Sequence, residues 1–315
     1  MRKALVIGVN DYPTAPLKGC VNDATGIATV LETDADGSPN FSVKLITSPS
    51  EKIERATLRA AIENLFQGDS DISLLYFSGH GFVKSTGGYI VTTDFKKYDE
   101  GVSMDEILLM ANESKSKERI IILDCCHSGN FGSPALNKSL NAQLSEGLTV
   151  LTASRDSESA IEINGRGVFT SLVIDALQGG AADLRGYITP GSVYAYVDQA
   201  LGPWEQRPIF KTNVTQFTSL RSVNPPVPLP TLRKICEYFP HPQDQYKLDP
   251  SYEFTSNNPK TENVAIFKDL QKFESVNLVK PMGEEHMYFA AMNSKSCHLS
   301  ALGAHYWRLV KEKKI

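Results

Sequence analysis

Two short runs carry the residues whose types could do chemistry together. Ile120-Ile121-Ile122-Leu123 is an unbroken apolar stretch that stops on Asp124-Cys125-Cys126-His127-Ser128-Gly129. Upstream, Ile72-Ser73-Leu74-Leu75-Tyr76-Phe77 stops in the same way on Ser78-Gly79-His80-Gly81. The first run, β-branched at three of its four positions, suits a strand buried on both faces of a parallel sheet, and the second has the same layout. In open α/β sheets, reactive groups collect outside the carboxyl ends of the strands. An imidazole and a thiol therefore sit at the ends of two such strands, with His80 and Cys126 46 residues apart. If the strands are neighbours, the imidazole can take the thiol's proton and produce a nucleophile for acyl transfer. Chemistry alone does not choose between the adjacent thiols of Cys125 and Cys126. His127 is a poor partner for either, because consecutive side chains on an extended backbone point in different directions. The glycines flanking His80 leave room for a substrate backbone.

The remaining elements must hold those two ends together. The pattern predicts a first strand over Arg2–Val9, a helix from Val21 to Leu31 and a strand over Phe41–Ile46. A helix follows at Thr57–Phe66, its apolar residues Leu58, Ile62, Leu65 and Phe66 falling on one face. Gly87–Val91 reads as part of a small hairpin over the cleft, and Met104–Ala111 as a short helix. Phe131–Glu146 has no period and reads as a loop. Leu148–Thr152 is a further strand. Phe169–Leu177 is a helix ended by Gly179-Gly180, and Pro190–Leu201 is a helix whose proline suits its first turn. Pro208 confines Arg207–Phe210 to a sheet edge. Strands alternating with helices mean a mostly parallel sheet covered on both faces.

Residues 222–231, SVNPPVPLPT, hold four prolines in ten positions and read as a stiff linker between domains 1–221 and 232–315. In the second domain, Val264–Phe273 reads as a helix, Met287–Met292 as a strand in a hairpin, and Leu299–Lys311 as a closing helix. That is a small α+β domain of winged-helix-like outline. It carries 12 Lys+Arg against 10 Asp+Glu, and the whole chain has a net charge of −4, so protein binding is expected there and nucleic-acid binding is not. No apolar run approaches the length of a membrane span. Met1–Val9 is too short in its apolar part for a signal peptide and is followed by Asn10-Asp11-Tyr12-Pro13. Five cysteines without a CxxC pair argue against a disulfide framework or a zinc site, and a reducing, cytoplasmic setting is expected.

Three segments together carry a resemblance. Gly19-Cys20-Val21-Asn22-Asp23-Ala24, Ser78-Gly79-His80-Gly81 and Asp124-Cys125-Cys126-His127-Ser128-Gly129 are similar, in that order, to the GCxNDA, SGHG and DxCHSG motifs of the metacaspase branch of the caspase-like cysteine peptidases. The resemblance covers residues 1–220, and the caspase-proper QACxG signature is absent. It implies a caspase-like six-stranded sheet, with Cys126 as nucleophile and Cys125 in the motif's variable position. It implies His80 as base and then acid, and the N–H groups of Gly81 and Cys126 as oxyanion donors. Cys20, Asp23, Ser78 and Asp124 match the positions lining the pocket for the residue before the scissile bond. Two carboxylates there select a guanidinium, so Arg should be preferred over Lys and Asp rejected. Asp94 and Asp105 match two members of the calcium cluster of calcium-activated relatives. Met104 stands where an acid is expected, and the loop after Gly129 offers no obvious acidic ligand for a cation that takes six or more oxygens, so no cofactor is required and calcium, left open, is not favoured. Self-cleavage is expected at Lys138 in the loop after the nucleophile, and control by a protein partner is expected through the C-terminal domain. The alternative is a binding or scaffold protein whose caspase fold is catalytically silent, against which the intact His80 and Cys126 argue.

Overall fold

A computed structural model of the chain describes residues 1–84, 87–96, 99–125, 144–153, 162–163, 165–202, 208–215 and 218–315. The chain divides into two compact units, Met1–Ala182 with Tyr187–Val223, and Asp183–Gly186 with Asn224–Ile315. Among the described residues no helix is long and apolar enough to cross a membrane.

The first unit starts with β1 (Arg2–Gly8), α1 (Cys20–Glu32), β2 (Ser42–Thr47), α2 (Arg55–Phe66) and β3 (Ile72–Ser78). Next come β4 (Gly81–Lys84), β5 (Gly87–Lys96), β6 (Asp99–Ser103), α3 (Met104–Glu113), β7 (Glu118–Asp124) and β8 (Leu148–Thr152). The two-residue strands β9 (Glu162–Ile163) and β10 (Arg166–Gly167) lead into α4 (Val168–Asp175), which continues as a π-helical turn over Ala176–Gly180. The unit ends with β11 (Tyr187–Ile188), α5 (Pro190–Leu201), β12 (Ile209–Asn213) and β13 (Arg221–Ser222).

Six strands form the main sheet in the order β12-β8-β7-β3-β1-β2. All its pairings are parallel except that of β12, which runs antiparallel along the edge. Every residue of β3 and β7 is buried, as their continuous apolar runs require of central strands covered on both faces. Side chains alternate between the faces. Val6, Leu74, Tyr76, Ile120 and Ile122 join the core under α1, α4 and α5. Leu5, Ile7, Leu75, Phe77, Ile121 and Leu123 join the core under α2 and α3. Helix α5 starts where Pro190 predicts, and Thr189 and Ser192 close a reciprocal capping box around it. The hairpin expected near Gly87 is a three-stranded antiparallel sheet, β4-β5-β6, inserted between the end of β3 and α3.

In the second unit the chain passes through α6 (Leu229–Arg233), α7 (Ile235–Tyr238), β14 (Gln245–Lys247), α8 (Thr261–Ser275), β15 (Val279–Met282), α9 (Met287–Met292), β16 (Ser296–Leu299) and α10 (Ala301–Lys311). Its three strands form an antiparallel sheet in the order β14-β16-β15. Two expectations differ here. Met287–Met292 is a helix, not a strand, because Met287, Ala290 and Ala291 are its buried residues, and that spacing belongs to one face of a helix. The helix, antiparallel pair and helix behind the winged-helix-like expectation are present as α8, β15 with β16, and α10, but the two strands lie on either side of Met287–Met292. The proline-rich run is more than a tether: Val227 is buried in the core of the second unit, and α6 begins at Leu229.

Gly8 fixes how α1 lies on the end of β1. A Cβ added there would sit 2.3 Å from the Cys20 carbonyl oxygen and 2.7 Å from the Ala24 Cβ. The obstacle is helix backbone, which cannot turn aside as a side-chain tip could. Gly8→Ala is therefore expected to lower stability by about 2 kcal/mol, the scale of overpacking a tight core. Denaturant unfolding checks this, and a stabilised variant would contradict the tight contact.

Candidate active site

The ends of β3 and β7 are neighbours and run in register from Ile72↔Glu118 to Ser78↔Asp124. The pairing reaches one residue further, where the Gly79 N–H donates to the Asp124 carbonyl at 3.3 Å. His80 is thus two residues past Ser78, and Cys126 is two residues past Asp124 in the chain. Cys126 itself, with His127–Gly129 and Lys138, lies outside the described residues. Cys125 is described: it is 2% exposed and packs in the core under α2 and α3 with Ile121 and Leu123.

His80 is held from three directions. Its backbone N–H donates to the Tyr12 hydroxyl at 2.9 Å, and that hydroxyl in turn donates to the Val91 carbonyl at 3.2 Å. The Val91 N–H donates directly to the His80 carbonyl at 2.9 Å. Tyr12 is thus wedged into the β4–β5 ladder, relaying one of the two bonds that a hydrogen-bonded antiparallel pair would exchange. The rings of Tyr12 and His80 also stack at a tilt, with centroids 4.6 Å apart. Burial pushes the Tyr12 phenol well above its ordinary pKa, so the hydroxyl stays protonated and keeps both roles. His80 Nε2 lies 2.7 Å from the Ala15 carbonyl. A carbonyl only accepts, so the neutral ring carries its proton on Nε2 and keeps the lone pair on Nδ1. Gly79 makes room for this clamp, since a Cβ there would fall 2.5 Å from the Tyr12 hydroxyl.

Gly81 follows as the first residue of β4, paired with Ile90. Because His80 and Val91 form the hydrogen-bonding pair, the next pair is a non-bonded one, and the Gly81 N–H points away from β5.

The four residues matched to a specificity pocket are all buried, and three of them converge. Asp23 on α1 accepts from the Ser78 hydroxyl at 3.2 Å and from the Gly167 N–H at 3.1 Å. Asp124, at the end of β7, accepts from the Thr170 hydroxyl at 2.5 Å, and the Tyr76 and Thr170 hydroxyls lie 2.6 Å apart. Burial, with Asp124 and Asp23 nearby, raises the Tyr76 phenol far above its usual range. Both carboxylates close around Gly167: a Cβ there would lie 2.7 Å from Asp124 Oδ2 and 3.3 Å from Asp23 Oδ2. Gly167 is also the N-cap of α4. The positive end of that helix therefore faces the two carboxylates and offsets part of the cost of burying them. Cys20 is the first residue of α1 and is buried. Tyr12, Gly167 and Thr170 had no motif to mark them in the sequence.

The two calcium candidates have local roles. Asp94 accepts from the Arg55 N–H at 3.1 Å and from the Thr92 hydroxyl at 2.6 Å, capping α2 from a neighbouring strand. Asp105 lies in the first turn of α3, where burial raises its pKa, and its Oδ2 would be 2.9 Å from a Cβ at Gly87. Among the described residues no three His, Cys, Asp or Glu side chains are grouped as a metal site.

Comparison with known proteins agrees with this layout. The family model described as the caspase domain matches residues 1–223. A metacaspase-1B from Aspergillus oryzae is 29% identical over 194 residues, covering 56% of this chain and 46% of the relative. One from Aspergillus niger is 28% identical, with 44% of its length covered. The chain thus spans about half the length of the fungal relatives it matches. Among solved structures, caspase-1 from Spodoptera frugiperda superposes with a TM-score of 0.52 at 15% identity, covering 70% of this chain and 90% of that one. A Geobacter sulfurreducens protein gives 0.50 at 16% identity, with 71% and 100% covered. At these identities the structural likeness is one of fold. The sequence matches and the sheet order carry the rest: this chain is a metacaspase-like member of the caspase-domain family.

Proposed function

We propose that the chain is a cysteine endopeptidase that cuts after basic residues, with Cys126 as nucleophile and His80 as acid–base partner. The in-register pairing of β3 and β7, with two buried carboxylates at its end, is the observation that carries this reading. His80 Nδ1 takes the thiol proton, and the thiolate sulfur bonds to the carbonyl carbon of the scissile amide. The Gly81 N–H, turned away from β5, steadies the oxygen that gains charge. The carbon–nitrogen bond then breaks as the imidazolium returns its proton to the leaving amine. Water, deprotonated by the same imidazole, attacks the thioester, releases the acid and restores the thiol. The burial of Cys125 supports the choice of Cys126, since a core thiol cannot reach a substrate carbonyl.

Asp23 and Asp124, with the Ser78 hydroxyl bonded to Asp23, supply the negative charge that a guanidinium before the scissile bond would meet, and Cys20 is proposed as a further residue of that pocket. Arg is favoured over Lys because its planar fork can bond both carboxylates. A divalent cation has no part in this proposal. The second unit, with its own buried core and the exposed side chains of Phe254, Tyr288 and Phe289, is proposed as a module for a regulatory protein. Self-cleavage at Lys138 and a cytoplasmic setting complete the proposal.

Cys126→Ala is expected to abolish peptide cleavage and leave the chain uncut at Lys138 in mass spectra, while Cys125→Ala keeps most activity. Equal loss in two folded variants would remove the assignment. With matched fluorogenic peptides, Arg should exceed Lys, and Asp should be refused, equally with calcium or with a chelator. Asp124→Asn should lower kcat/KM for the Arg peptide by about 30-fold or more, the equivalent of about 2 kcal/mol for an unpaired buried charge contact. Full Arg cleavage by that variant would rule the pocket out. A chain ending at Val223 should stay soluble and still cut the Arg peptide. An insoluble product would show that the two units fold as one.

A further inference from the structure

The geometry points to a second substrate subsite, on the far side of His80, that takes a large apolar side chain from the residue following the scissile bond. This rests on the peptidase reading above and extends it to the leaving half of the substrate. A cavity of about 470 Å³ opens beside the imidazole, lined by Tyr12, Pro13, Ala15, Phe82, Val91 and Phe95 together with His80 and Gly81. That volume exceeds what a phenylalanine or leucine side chain needs, and falls within the range of small-ligand sites. Cys20, Asp23, Ser78 and Asp124 take no part in its lining. His80 therefore lines an apolar cavity in which the acidic cluster has no share, two residues beyond Ser78, whose hydroxyl bonds Asp23.

The chemistry assigns the two sides. The residue before the cut puts its basic side chain among the carboxylates. The nitrogen that receives the His80 proton belongs to the residue after the cut, so that residue must lie against the imidazole when the bond breaks. The cavity touching the ring is the space open to its side chain. Its contents match an apolar occupant. Among the described residues no carboxylate lines the cavity, and Lys96 is the one lysine or arginine that does. Phe82 and Phe95 are 38% and 44% exposed, an edge-to-face pair with centroids 6.3 Å apart. Two phenylalanines held in water at the mouth of a cavity gain most when an apolar group covers them. Tyr12 serves both functions, since the hydroxyl that fixes the His80 backbone belongs to the ring that lines the cavity.

Internally quenched peptides test this. All share one acyl half ending in Arg and differ only in the next residue, which is Phe, Leu, Gly or Asp. Wild type is expected to cleave the Phe and Leu peptides about tenfold or more better in kcat/KM than the Gly peptide, the usual scale for filling an apolar pocket. The Asp peptide should be the slowest. In Phe82→Ser and Phe95→Ser, both exposed positions, the Phe-to-Gly ratio should fall towards one, with folding checked by circular dichroism. Equal rates for all four peptides, or a Phe preference that survives both substitutions, would overturn the inference while leaving the dyad reading intact. So would variants whose altered preference concerns the residue before Arg. Failure of wild type to cut the Gly peptide or any other would overturn the dyad reading, and this inference with it.

Discussion

The parallel pairing of β3 with β7 is the constraint on which the rest of the first unit depends. Parallel strands offer no freedom to slide once both faces are buried, because a slip of one residue would move every side chain to the opposite core. Tyr76 and Ile122 must stay under α1 and α4, and Phe77 and Leu123 under α2 and α3. That double burial holds Ser78 opposite Asp124. In the sequence, His80 follows Ser78 and Cys126 follows Asp124 by the same two residues. A cysteine–histidine dyad needs this sort of agreement, since hydrogen-bond reach fails with an error of little more than an ångström.

Around that register the unit spends its buried polar groups on orientation. Tyr12 gives up an ordinary place on the surface to bridge His80 and Val91, and Gly79 has no side chain so that the hydroxyl can approach. The Ala15 carbonyl fixes which imidazole nitrogen holds the proton. On the α1 side, the end of α4 brings its N-cap N–H and the Thr170 hydroxyl to two carboxylates that would be costly to bury alone. The same arrangement leaves the two carboxyl groups together at the strand ends.

Much of this was legible in the sequence, and the gaps have physical causes. The central strands declared themselves because burial on both faces demands unbroken apolar runs, and the motif residues end those runs. Tyr12 could not be found that way. Its role depends on a hydroxyl meeting a backbone ladder 68 residues further along the chain, and nothing local marks it. Gly167 is equally silent, since its importance lies in what a Cβ would strike. The helix at Met287–Met292 was hidden by its composition: Tyr288 and Phe289 suit a strand, yet the buried spacing of Met287, Ala290 and Ala291 is helical. The proline-rich run misled in a different way. Prolines favour an extended path, but Pro230 is also welcome in the first turn of a helix, and α6 begins there.

Covalent labelling tests the central claim most directly, because it needs a thiolate, its base and the acidic pocket at once. The chain would be treated with two peptide electrophiles that differ only in ending on Arg or on Asp, and the modified residue located by mass spectrometry. The account predicts a single adduct on Cys126, formed at least about 100-fold faster with the Arg probe, the equivalent of roughly 2.7 kcal/mol. It also predicts that His80→Ala slows labelling by a similar factor. An adduct on Cys125, equal rates for the two probes, or labelling indifferent to His80 would contradict it.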